Sequence, residues 1–453
     1  MKISVAVVFC LLMTMGLQTA SASASPPSAV VTKTQSIVRD AAISGMAIVK
    51  VDDGKINWTH QLGIRSEDQN IGRQTIFNAA SLTKPVFAML VLRLVAEGHL
   101  ELDEPLAEYW IDPDIADDPR HKALTARIVL SHQTGLPNWR GKNELSFLFS
   151  PGSRHEYSGE GFEYLRRAIE KKLGMNISDL TKKYVFDPAA MASSSMGSRS
   201  SHLENIAKGF DENLAQIETG ITQRSANAAA NLMTTAEDYA RFLIWVADGA
   251  NLPESLYKEM SSPQSLHQDP AERFGLGWKL IPLGSGEALF HDGRERGVRT
   301  FAVIEPSGKE GLVILTNSSN GDLAYRTVSS AALSYAAAFW QSTDRLVWTY
   351  FNSLPGQALR PMSKAIARSP AFLQTFLHAA ITNLIVPSEL PDNDKQLAEQ
   401  AVKPLVLKLL NGALDPSQTE ELITSLFAEK NGNLTLVSTL DKSKAAAWVG
   451  KLK

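Results

Sequence analysis

Cysteine is nearly absent from this 453-residue chain: its one cysteine, Cys10, lies in an apolar stretch close to the N-terminus. No internal disulfide can staple the fold and no set of thiolates can hold a metal, so stability must come from an extensive core. Basic runs are missing too. The formal net charge is -3, and nothing in the charge pattern suits a nucleic-acid partner. No His/Cys/Asp/Glu group has metal-ligand spacing, so neither a metal nor a cofactor is expected. Beyond the N-terminus, long apolar runs are lacking. The nearest approach, Phe372 to Val386, is interrupted by Gln374, His378, Thr382 and Asn383, so no integral membrane segment is expected in the mature chain.

What is present suits a folded, exported protein. Hydrophobic residues make up 44% and charged residues 21%, an ordinary globular balance. Met1-Lys2 is followed by an apolar stretch to Leu17 and then by Thr19-Ala20-Ser21-Ala22-Ser23-Ala24. This order of charged, apolar and small residues predicts a signal peptide over 1–24 and a periplasmic or secreted product.

One short stretch organises the remainder. Ser81-Leu82-Thr83-Lys84 opens an apolar run, Val86 to Val95, that has helical length and closes at Gly98. Three-residue spacing puts Ser81 and Lys84 on one helix face. A serine needs a base to act as a nucleophile, and a lysine serves if burial lowers its pKa. The bland alternative makes Ser81 an N-cap and Lys84 a solvated cation. Ser255-Leu256-Tyr257-Lys258 has the same spacing, so the pair alone is weak.

Strand signals occur at both ends of the first 340 residues. Met46 to Asp52 and Ile56 to Ile64 flank a turn at Asp53-Gly54. Later come Phe274 to Ile281, Ala288 to His291, Arg299 to Glu305 and Gly311 to Asn317, with Gly293 to Gly297 expected as a turn. Helices are expected at Thr32 to Ile43, Phe162 to Lys172, from Thr234-Thr235 to Ala247, and over Leu323 to Gln341. The pattern predicts an α/β (α+β) fold. An antiparallel sheet built from both chain ends is flanked by helices, with a mostly helical insertion over about 95–270 and the site in the groove between them. The catalytic domain is assigned to 25–342. Residues 343–453 form a mostly helical accessory region that offers a surface for a protein partner, with a final strand at Leu434 to Thr439.

From about Thr32 to Gln341 the chain resembles the serine β-lactamase and penicillin-binding-protein-like family, above all its class C β-lactamase, D-Ala-D-Ala carboxypeptidase and family VIII esterase branch. Three ordered motifs carry the resemblance: Ser81-Leu82-Thr83-Lys84, Tyr157-Ser158-Gly159 and His291-Asp292-Gly293. The stretch Leu130-Ser131-His132-Gln133-Thr134-Gly135-Leu136-Pro137 supports it. The resemblance implies an acyl-enzyme on Ser81, proton transfer shared by Lys84 and Tyr157, and His291 as a third polar group. It also implies an oxyanion hole from the backbone N–H groups of Ser81 and Arg294, with Gly159 and Gly293 lining the substrate. The plain readings are a half-buried loop tyrosine and a strand-end histidine bonded to backbone.

Two departures bear on substrate. Gly159 stands where the family has Asn, removing an amide that would bond the lysine and a substrate carbonyl, unless Glu160 fills the gap. His291 stands where a lysine would bind a carboxylate; Arg294, Arg296 and Arg299 nearby either restore that affinity or cover a solvated turn. The expected activity is therefore hydrolysis of a small-molecule ester or small amide, peptidoglycan-like peptides included. The rival is a weak or inactive member of the fold that binds cell-wall peptides or a protein partner.

Overall fold

A computed structural model describes residues 24–211, 213–264, 273–284 and 286–343, and two short strands at 427–430 and 433–436. The proposed signal segment up to residue 23 and the helices expected after residue 343 lie outside the described residues. Of the tail, β13 (Phe427–Lys430) and β14 (Asn433–Leu436) pair as an antiparallel hairpin, so the last strand has a partner that the sequence reading did not supply.

The main sheet has seven strands. β1 (Gly45–Asp52), β2 (Lys55–Ser66) and β3 (Gln69–Asn70) come early; β9 (Lys279–Pro282), β10 (Glu287–Glu295), β11 (Val298–Glu305) and β12 (Glu310–Thr316) come late. Their order is β3-β2-β1-β12-β11-β10-β9, all antiparallel. β1 pairs with β12, Met46 opposite Thr316, which joins the two chain ends in the middle of the sheet.

Period-two alternation explains the layers. Ala47, Val49, Leu289, Ala302, Ile304, Val313 and Leu315 face one core, shared with helices α2 (Thr83–Ala96) and α6 (Ala236–Ala247). Met46, Ile48, Phe290, Phe301, Val303, Leu312 and Ile314 face the other, covered by α1 (Ser28–Asp40) and α8 (Tyr325–Ala332). Between β3 and β9 run α2, α3 (Ala126–Leu130), α4 (Gly159–Leu173), α5 (Ile177–Thr181), α6 and α7 (Glu254–Met260). Short strands β4 (Phe77–Asn78), β5 (Ser195–Met196) and β8 (Leu232–Thr234) form a small sheet; β6 (Gly209–Phe210) and β7 (Gln216–Ile217) form a hairpin. Thr125 and Thr235 cap α3 and α6 through their side chains, each accepting a backbone N–H.

Three boundaries differ from the sequence reading. β10 runs on to Glu295, so the expected turn over Gly293 to Gly297 shrinks to the two residues between Glu295 and Val298. β9 begins only at Lys279. Before it the chain turns: the Gly275 N–H donates to the Trp278 carbonyl (2.9 Å) and Gly277 takes φ +83°, which leaves Phe274 and Lys279 as an isolated bridge. The expected Leu323–Gln341 helix is interrupted at extended Leu333 (ψ 135°), and helical structure resumes over 336–343.

Candidate active site

α2 is apolar on every side and buried from Thr83 to Leu92, so it is a core helix rather than an amphipathic surface one. Ser81 lies in the 3-10 turn Ala80–Leu82 just ahead of it, and neither element is capped by a side chain. The N-cap reading of Ser81 therefore fails. Ala80 takes φ +46°, a costly conformation for a residue with a Cβ. Three bonds hold it: the Ala80 N–H donates to Asn78 Oδ1 (2.8 Å), Thr83 Oγ1 donates to the Ala80 carbonyl (2.6 Å), and Leu232 N–H donates to Thr83 Oγ1 (2.9 Å).

Lys84 is 1% exposed, which also rules out the solvated-cation reading. Its Nζ lies 3.3 Å from Ser81 Oγ and 2.9 Å from the Ala229 carbonyl. Burial pulls its pKa down to about 7, although Glu295, Asp292 and Glu163 push it up; Lys279 adds to the depression. A neutral amine at this position donates to Ala229 and has a lone pair left for the serine proton. The loop carrying Ala229 is pinned in turn, because the Ala228 N–H donates to Glu163 Oε1 (2.6 Å).

Tyr157 brings its phenol to the same point. Burial raises its pKa well above the usual phenol value, with a hydrogen bond to Ser81 acting against the rise. Its ring lies 4.6 Å from Lys84 Nζ and stacks on His132 at 4.3 Å between centroids, tilted 25°. His132 Nδ1 accepts the Ser158 N–H (3.1 Å), and burial keeps its imidazole neutral. The plain reading of Tyr157 as a loop aromatic thus accounts for its half-burial but not for its hydroxyl.

The opposite wall is β10. His291 sits on its α2 side, its ring 6.1 Å from that of Tyr157. Its Nδ1 meets the Asp292 carbonyl at 2.7 Å, as the plain strand-end reading expected, and its buried Nε2 has no hydrogen-bond partner. Burial, with help from nearby Lys279, drives its pKa to about 3, so it is neutral. Gly293 is where the wall touches the nucleophile turn. A Cβ there would come within 2.9 Å of the Ser81 nitrogen and 2.2 Å of Thr300 Oγ1, so only glycine fits. Arg294 follows directly on this strand.

Several expected roles fall away. Glu160 does not fill the gap at Gly159: it binds the Arg140 backbone N–H and guanidinium, both at 3.1 Å. The gap is occupied by Trp139, whose ring atoms stand 2.9–3.0 Å from where a Cβ on Gly159 would be. Arg294 and Arg299 converge on the carboxylate of Asp322, at 2.5 and 3.3 Å, rather than forming an open anion site, and Arg296 is exposed in the turn between β10 and β11. The second S-x-x-K pair, Ser255 to Lys258, lies on α7, and no charge affecting Lys84 comes from it. Sequence reasoning gave no site role to Glu295, Asn78, Glu163, His132, Lys279 or Trp139. Asn78, three residues before Ser81, and Glu295, two after Gly293, lie beside the motifs in sequence, but their contacts come from other elements.

The family named Beta-lactamase matches residues 30–335. Protein flp of Staphylococcus aureus (strain MRSA252) is 22% identical over 305 residues, covering 61% of this chain and 60% of flp, so the chain spans less than two thirds of that relative. Two solved structures share the fold. The penicillin-binding protein from Bacillus halodurans has a TM-score of 0.57 at 22% identity, covering 66% of this chain and 97% of that one. The D-alanine carboxypeptidase AmpC from Burkholderia cenocepacia has a TM-score of 0.57 at 18% identity, covering 67% and 98%. A continuous family match across most of the chain, over a fold that seats Ser81, Lys84 and Tyr157 together, means that this protein belongs to the β-lactamase family of serine hydrolases.

Proposed function

We propose that the protein is an exported serine hydrolase that cleaves esters or small amides carrying no carboxylate next to the scissile bond. The observation that carries this reading is the contact of Ser81 Oγ with a buried lysine whose pKa is drawn to about 7. Neutral Lys84 takes the Ser81 proton as Oγ bonds to the substrate carbonyl carbon. Charge on the carbonyl oxygen is met by the backbone N–H groups of Ser81 and Arg294. As the C–O or C–N bond breaks, Tyr157 hands a proton to the leaving group and regains one from Lys84. Water then repeats the sequence on the acyl-enzyme, releasing the acid and restoring Ser81. The high Tyr157 pKa supports Lys84 as the base and a neutral phenol as the relay.

Preference for uncharged substrates rests on how the nearby cations are spent. His291 is neutral, Lys279 is paired with Asp292 at 2.7 Å, and Arg294 and Arg299 are paired with Asp322. No fixed cation among these is left to anchor a carboxylate.

The test is intact-mass labelling with a fluorophosphonate, beside Ser81→Ala. One adduct on the parent and none on the variant is expected, followed by faster turnover of p-nitrophenyl esters than of D-amino-acid amides or a chromogenic cephalosporin. Folded parent protein that takes no label overturns the reading. A second reading, a binding protein with negligible turnover, is favoured by Trp139 standing where the Asn side chain is missing. Its signature is a retained acyl adduct that water does not release.

A further inference from the structure

Glu295 projects from β10 on the same face as His291 and Gly293, since alternate residues share a face. It is mostly buried and bonded on two sides. Asn78 Nδ2 donates to its Oε2 (3.0 Å), and Arg224 reaches the same oxygen (2.5 Å). Arg224 is itself fixed by Asn231 Oδ1 (3.1 Å) and the Thr219 carbonyl (3.2 Å). The other end of the Asn78 amide accepts the N–H of Ala80, the residue at φ +46° directly before Ser81. One side-chain amide thus bridges the nucleophile turn and the strand whose Gly293 abuts the Ser81 nitrogen.

We propose that Glu295 and Asn78 form a strut between β10 and the Ala80–Ser81 turn, making both of them positioning residues for the nucleophile. The inference rests on the proposed role of Ser81 and goes beyond it. Without Asn78, Ala80 loses the acceptor that fixes its N–H. With only the Thr83 bond to its carbonyl left, Ala80 relaxes from the left-handed region, which turns Ser81 Oγ away from Lys84 and its N–H away from Gly293. Glu295 has a second effect through space: it is the strongest of the charges holding the Lys84 pKa up. The other charged or titratable groups facing Lys84 are Asp292 and Lys279 from the β10–β9 edge, Glu163 from α4, and Tyr157, His132 and His291, the last two neutral. Arg224 tempers the Glu295 charge without cancelling it.

The strut is tested by amide exchange, using the fluorophosphonate labelling rate as a function of pH on the full chain. Asn78→Asp sets two carboxylates face to face and should lower the labelling rate at least about tenfold. Adding Glu295→Gln restores an amide between them, now on the other partner, and should recover most of the loss. Glu295→Gln alone should keep the rate plateau within a few fold and move the acid limb down by about half to one pH unit, because a carboxylate facing Lys84 has gone. Thermal unfolding run in parallel separates a misplaced serine from a misfolded one. A double variant no faster than Asn78→Asp, with both folded, overturns the strut. So does an Asn78→Ala protein that labels at the parental rate. A parent that does not label indicts the hydrolase reading instead, so the two failures are distinguishable.

Discussion

The two walls of the groove are built on different principles. The α2 side is local and apolar: Ser81 and Lys84 sit three residues apart at the start of α2, and the hydrophobic surroundings supply the desolvation that lowers the lysine pKa. The β10 side is assembled from afar. His291, Gly293 and Glu295 alternate toward the site, but their state depends on Lys279, Arg224, Asn78 and, for the neighbouring arginines, Asp322. A buried apolar environment can be written into one helix. A balanced set of charges cannot, because each ion needs a partner from another element. The difference teaches why the proposed nucleophile and base can be read from a four-residue motif while the pairing of the nearby charges cannot.

The sharpest way to break the comparison is at Lys84. Lys84→Met should abolish labelling, lowering the rate by at least about a thousandfold, while stabilising the fold. In the folded state the lysine pKa is depressed from 10.5 to about 7, so burying it costs stability. The unfolded chain binds more protons than the folded one between pH 7 and 10.5, so the penalty is full below pH 7 and fades as pH rises toward 10.5. The gain on substitution should reach at most about 5 kcal/mol at pH 6 and shrink in alkaline buffer, as read from denaturant midpoints. Equal stabilisation at both pH values would show that the lysine is not held neutral. The same depression predicts that the labelling rate of the parent falls tenfold per unit below about pH 7.

A smaller effect is expected at the rim. Gly159→Asn restores the residue type found elsewhere in the resembling motif, yet its Cβ would meet Trp139 and the Asn138 carbonyl. It should destabilise the protein by about 1–3 kcal/mol, and Trp139→Ala should relieve part of that cost. Thermal melts of the two singles and the double form the test, and strictly additive losses would deny that Trp139 fills the gap. The smallest effect is expected at Arg294. Because its guanidinium is engaged by Asp322, Arg294→Ala should change KM for a carboxylate-bearing ester by less than about threefold. A tenfold rise would mean that the β10 wall does present a cation to substrate.

Much of the fold was legible because it follows from periodicity. The short apolar runs of β1, β11 and β12, buried on both faces, and the Thr234-Thr235 start of α6 are local signals, and they reappear in the sheet and at the helix start. The end of β10 was not legible: Arg294-Glu295-Arg296 reads as a solvated turn until Asp322 pairs with Arg294 and Arg224 with Glu295. Gly159 read as a missing amide side chain, and only packing reveals that Trp139 takes up the space.

The sequence by itself determined the antiparallel α+β plan, the serine and lysine on one rigid element, and the glycine that lets β10 approach the serine nitrogen. These depend on residue spacing and on the size of single side chains. The tertiary structure alone decided the protonation of Lys84, Tyr157 and His291, the pairing of Glu295 with Asn78, and the pairing of Arg294 and Arg299 with Asp322. Those outcomes are set by burial and by charges brought together from distant parts of the chain, and neither quantity exists until the chain has folded.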